Sequence, residues 1–136
     1  MQGFGHWLNS RFMALFLTSF VFGLLHLSNP EITALGYEAI FIYIIGGFVL
    51  GIMTLMDDGL ELAIGFHAAN NLIVVLLLTA DWTVFQTESI LIDISEPSLG
   101  LSDWLAPLIV YPIIITILSR KYAWTNWKKK LFSKVR

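Results

Sequence analysis

Residues 62–75, LAIGFHAANNLIVV, place one histidine and two asparagines inside an otherwise apolar run. On a helix, positions four apart share a face, so His67 and Asn71 project into one space with Asn70 beside them. An imidazole can act as a base, as a donor to an oxyanion or as a metal ligand, and a carboxamide can donate to developing negative charge. A second imidazole, His26, stands near the end of the apolar run Phe12–Leu27, with Phe22 one turn beneath it. Polar side chains at membrane depth face a protein interior or a wet cavity, which makes these residues candidates for one site. The competing reading is helix-to-helix hydrogen bonding, worth about 1 kcal/mol per contact. Two histidines and two asparagines, in a chain with only three histidines, weigh against it. The third, His6, sits beside Trp7 in an interfacial segment and is expected to do no chemistry.

The composition says what must position these groups. The 136-residue chain is 57% hydrophobic and 13% charged, with a mean hydropathy of +0.75. A soluble domain carries about 25% charged residues, so a water-soluble protein is excluded. The fold class expected is all-α: a single membrane-embedded domain, 1–136, of about four transmembrane helices, with membrane lipids as surroundings and no nucleic-acid partner. There is no cysteine, so neither disulfides nor thiolate metal sites are available.

Four apolar runs supply the helices, at about 11–27, 36–56, 60–80 and 103–119. Asn9 or Ser10 caps the first, and Ser28-Asn29-Pro30 stops it, because proline cannot continue the ladder. The second carries Gly47-x-x-x-Gly51, a face that another helix backbone can approach closely. Asp57-Asp58-Gly59 turns the chain into the third, where Gly65, Ala68 and Ala69 flank the polar residues and leave room for a helix or an extended peptide. Residues 81–101 are more acidic and polar; their middle, 89–94, is apolar enough to lie along the interface. Pro112 is expected to kink the fourth helix. Seven of the eight basic residues fall in the tail 120–136, and the eighth is Arg11. By the positive-inside rule both termini are cytoplasmic, the acidic 81–101 loop is outside, and the protein is integral to a membrane, expected to be the bacterial plasma membrane. Trp124 and Trp127 suit the headgroup belt.

Phe22-Gly-Leu-Leu-His26, running into Leu27-Ser-Asn-Pro30, resembles the Phe-x-x-x-His motif of the CPBP family, the CaaX-protease and bacteriocin-processing intramembrane proteases also called Abi. His67-Ala-Ala-Asn-Asn71, preceded by Ala-Ile-Gly-Phe, resembles the family's His-x-x-x-Asn motif. The resemblance covers roughly Met1 to Ala80. It implies an intramembrane endopeptidase that hydrolyses peptide bonds of membrane-associated peptide or protein substrates. It implies further that His26 positions the catalytic water, and that His67 and Asn71 hold the scissile carbonyl and stabilise its oxyanion. Zinc or another divalent metal on His26 and His67 stays open beside metal-independent glutamate chemistry, although a catalytic zinc usually takes three protein ligands.

The family's Glu-Glu-x-x-x-Arg motif, whose glutamate activates the water, has no counterpart: the chain has no Glu-Glu pair, and its first acidic residue, Glu31, follows His26. The expectation is therefore a C-terminal part of a longer protease, inactive or nearly so alone, since a general base contributes about 10²- to 10⁴-fold. Two other classes remain. His26 and His67 could be axial ligands of a haem, or the chain could be a non-catalytic membrane interaction protein. Any shared site also faces a geometric demand. Helical rise puts His26 about 22 Å above Arg11 but His67 only about 12 Å above Gly59, so tilt or a lower start of the first helix must close about 10 Å.

Overall fold

Ser10 begins the first long helix in the computed structural model, which describes residues 1–135: its hydroxyl accepts from Met13 N at 3.3 Å. Arg136, the last residue of the basic tail, lies outside the described residues. The fold is mostly helical, with 67% of residues in helices. A short helix, α1 (Gln2–Leu8), ends at Asn9, which takes the left-handed conformation. It is followed by α2 (Arg11–Leu24), α3 (Pro30–Leu35), α4 (Ile40–Met56, entered through a 3-10 turn at Tyr37–Ala39) and α5 (Glu61–Leu77). Then come two strands, β1 (Leu78–Ala80) and β2 (Leu91–Asp93), and finally α6 (Tyr111–Lys121) and α7 (Trp127–Phe132). Two continuous helical stretches, Tyr37–Met56 and Leu101–Lys121, are long and apolar enough to cross a bilayer. The other two apolar helices, α2 with 14 residues and α5 with 17, are shorter than the ~20 residues a perpendicular span takes.

Small residues fix the packing of α2 on α4. A side chain at Gly47 would meet the backbone of Ser19 at 3.0 Å, and one at Gly51 would run into Leu15. The expected glycine face therefore exists, and α2 is what lies against it. Gly65 on α5, by contrast, has nothing within 4 Å, so no other described element fills the small face beside His67. Beneath the α2–α4 contact, Leu15, Val49, Met53, Met56 and Ala63 form the buried core together with Trp124 and Leu131 from the tail.

The same end gathers the charged turn and the basic tail. Lys130 Nζ donates to Met56 O at 2.6 Å and pairs with Asp58 at 2.8 Å, and Arg11 N donates to Ser133 O at 3.1 Å. Trp124 is 7% exposed and donates from Nε1 to Asp57 Oδ1 at 3.3 Å. Its indole closes the core at this end. Trp127 packs partly buried against it, with ring centroids 5.9 Å apart.

Four helix ends differ from the sequence expectation. α2 stops at Leu24 rather than Leu27, and residues 25–28 form a turn that carries His26. α5 stops at Leu77 rather than Ala80, because residues 78–80 leave the helix to pair in parallel with 91–93, Leu78 opposite Leu91. The 81–101 loop folds back to make this pair and satisfies the carbonyls at the end of α5: Thr87 and Ser89 donate to Val75 O, and Ile90 N to Leu76 O. Within the loop, Ser95 donates from its hydroxyl and backbone N–H to Asp93 Oδ1, holding that carboxyl below its usual range. The fourth apolar run extends at both ends, over Leu101–Lys121, and is not uniformly α. Pro112 has no N–H for the carbonyl four residues back, and the turn before it, Ala106–Val110, is wound as a π-helix.

Candidate functional site

His26 is held by the end of its own helix. Its Nδ1 donates to Phe22 O at 2.7 Å, satisfying a carbonyl that the helix C-terminus leaves open. A proton on Nδ1 leaves the lone pair on Nε2, the nitrogen that can accept a hydrogen bond or a proton. The ring is clamped between aromatics: Phe22 lies 4.8 Å away and Tyr43 of α4 stacks on it at 4.2 Å, 19° from parallel. This is the stacking of Phe22 and His26 expected from the sequence, with His26 now on a turn.

On α5, His67 and Asn71 meet as their spacing requires, Asn71 Nδ2 lying 3.4 Å from His67 Nε2. The amide donating to Nε2 places the His67 proton on Nδ1. Phe22 joins the two helices. Its ring meets His67 edge-on at 5.6 Å, so the imidazoles stand no further apart than the sum of their distances to one phenyl ring. The two imidazoles are therefore near enough to share one site. His26, His67, Asn70 and Asn71 all line one cavity of about 190 Å³, which α6 closes with Tyr111. His6 lies on the exposed α1, outside that cavity.

Two lining residues were passed over in the sequence. Tyr43 reads there as one more aromatic of an apolar run, and nothing in its spacing marks it. Glu31 follows His26, whereas the glutamates of the family motif precede that histidine. The usable signal was its place as the second residue of α3, directly after the turn that carries His26. It lines the cavity and accepts from Val84 N at 3.0 Å through Oε1.

The donor set does not suit a resident metal. Among the described residues no three histidine or carboxylate groups gather around one point. Two imidazoles, each with one nitrogen already engaged, fall short of the three protein ligands of a catalytic zinc. The expected zinc or other divalent ion on His26 and His67 is therefore not supported by these residues. The cavity offers instead an acceptor nitrogen on one wall and, on the other, an amide and an imidazole that can donate.

Comparison with known proteins gives this arrangement a family. A family described as type II CAAX prenyl endopeptidase Rce1-like matches residues 1–73, the span that contains His26, His67 and Asn71. A protein of Bacillus subtilis (strain 168) described as uncharacterized protein YyaK is 29% identical over 85 residues, covering 62% of this chain and 28% of that protein. The chain thus spans well under half the length of that relative. No solved structure matches. With more than half of its residues matched, the chain belongs to the Rce1-like, type II CAAX prenyl endopeptidase family.

Proposed function

We propose that this chain forms the catalytic cavity of an intramembrane endopeptidase that hydrolyses a peptide bond in a membrane-associated peptide. The observation that carries the reading is the convergence of His26, His67 and Asn71 on one cavity from two helices, joined through Phe22. In it, His26 Nε2 accepts from and orients the attacking water. Asn71 and the N–H of His67 donate to the scissile carbonyl and to the oxyanion that forms from it. The exposed small face of Gly65, Ala68 and Ala69 lets an extended substrate backbone reach that turn.

The four apolar helices cross the bilayer as one domain, the two shorter ones with their ends drawn into the interface. Lys130 and Arg11 mark the cytoplasmic end, and the membrane is the plasma membrane of a bacterium. The residues of this chain hold no Glu-Glu-x-x-x-Arg motif. A water-activating carboxylate must then come from sequence beyond these 136 residues or from an acidic residue within them. The haem reading is disfavoured by the size of the cavity, about 190 Å³, below the roughly 300–1,000 Å³ of a cofactor pocket.

The test is cleavage of a fluorescence-quenched, farnesylated peptide ending in a Cys-a-a-X sequence by the purified protein in micelles. His67→Ala should abolish cleavage while thermal unfolding changes little. Unchanged cleavage would exclude this site.

A further inference from the structure

We propose that Asn70 binds the main chain of the substrate, an assignment that deepens the endopeptidase reading above and rests on it. No role falls to Asn70 in the chemistry of His26, His67 and Asn71. Asn71 meets His67, four positions back, whereas the carboxamide of Asn70 is exposed and has no hydrogen-bond partner among the described residues. On a helix at membrane depth an unbonded amide is costly, and a leucine in its place would suit lipid better.

The two cavities give the reason for it. Beside the inner one of about 190 Å³, which holds His26, His67 and Asn71, lies an outer one of about 230 Å³, walled by β1 and by Trp82 and Thr83 of the loop that follows. Asn70 lines both, as do Tyr43 and Phe85, so it stands where the two meet. Asn70 and Val74, one turn apart on α5, lead along the outer cavity, and Leu78 follows where the helix ends. The rise of α5 from His67 to its last residue, Leu77, is about 15 Å, the length of four or five residues of extended chain at about 3.3 Å each. The cavities together take a short extended peptide whose scissile carbonyl lies at His67 and Asn71.

The chemistry of the side chain selects the ligand. A peptide drawn out of water needs a partner for each N–H and C=O that it buries. A carboxamide is the neutral complement of a peptide unit, since its oxygen accepts from the N–H and its nitrogen donates to the C=O. Asn70 thus holds one peptide unit of the substrate on the outer side of the scissile bond, and Asn71 stays free for the oxyanion. The contact fixes the register of the substrate chain rather than the identity of its side chains.

The test is equilibrium binding to the purified protein in micelles. The probe is a dye-labelled, farnesylated peptide ending in Cys-a-a-X, with a ketomethylene unit in place of the scissile amide so that it is bound but not cut. Asn70→Leu should weaken binding about 5- to 50-fold, because substrate polar groups are left unpaired, while the thermal midpoint rises. A residue that serves as helix glue would lower both, and a fall in the midpoint overturns the proposal. If Asn70→Leu does not fold, Asn70→Ala, smaller than the native residue, decides in its place. Methylating the peptide nitrogens one at a time should find one position where the methyl group weakens binding to the wild type but adds nothing in the variant. Unchanged affinity in the variant overturns the proposal, and so does methylation that costs the same in both proteins at every position. A wild-type protein that binds no probe overturns it too, because α5 and the 78–85 loop wall both cavities. Cleavage lost in His67→Ala, with binding unchanged in Asn70→Leu, would keep the protease and remove Asn70 from it. Binding that depends on Asn70, without cleavage, would keep the peptide site and remove the protease.

Discussion

Asn71 is held loosely by its neighbour, and that looseness matters for its role. At 3.4 Å, its contact with His67 is longer than the 2.7–3.2 Å of a well-formed bond, so a substrate carbonyl can compete for the amide. Asn71→Ala should therefore lower kcat about 10²- to 10³-fold, as loss of one oxyanion donor does, with KM nearly unchanged. The folded protein should lose no more than about 1 kcal/mol, because only a long hydrogen bond goes. A steady-state assay beside a thermal melt separates the two effects, and a fall in stability matching the fall in rate would argue for a structural residue. These side chains were legible in the sequence because their relations are local: His67 to Asn71 and Phe22 to His26 are four-residue spacings. The place of Glu31 in the lining was not, since it depends on Val84, fifty-three positions away, and on a cavity that only the assembled helices enclose.

Between elements, the decisive distances are those of glycine. Gly47→Ala would drive a methyl group to 3.0 Å from the Ser19 backbone, which cannot rotate away, so α2 and α4 must part. The expected loss is about 1–3 kcal/mol. Gly65→Ala, with nothing within 4 Å, should instead stabilise α5 by about 0.5–1 kcal/mol, the usual gain for alanine in a helix. Tryptophan fluorescence melts in micelles should move in opposite directions, and equal shifts would mean that α2 and α4 are not packed as described. The glycine spacing was readable because a packing face repeats with the helix. The helix ends were less so. Residues 25–27 and 78–80 are as apolar as the helices they follow, and they leave the helix for tertiary reasons: His26 caps Phe22 O, and Leu78 pairs with Leu91. Strands β1 and β2 gave no sequence signal because three residues are too few to show alternation.

Across the whole molecule, the cavity and the basic tail lie at different ends. α2 runs away from Arg11 towards His26, α4 returns to Met56 and Asp58, and α5 runs out again to the loop whose Val84 holds Glu31. The cytoplasmic end proposed for Arg11, Asp58 and Lys130 therefore puts Glu31 and the 81–100 loop towards the exterior, so that peptides reach the cavity from that side or from the outer leaflet. The apolar exterior of α5 and α6, with Ile64, Leu72, Ile113 and Ile117 each more than half exposed, suits lipid contact along the route. The absence of cysteine makes the arrangement directly measurable, because single cysteines can be added without a background. Tyr37→Cys and Glu96→Cys should react with a membrane-impermeant maleimide in intact cells, whereas Asp58→Cys and Lys128→Cys should react only after permeabilisation. The reverse pattern would keep four crossings but turn the cavity to the cytoplasm. Glu96→Cys and Lys128→Cys reacting from the same side would instead show that residues 101–121 do not cross, and the chain would then lie partly along the membrane, with its cavity closed by an interfacial helix.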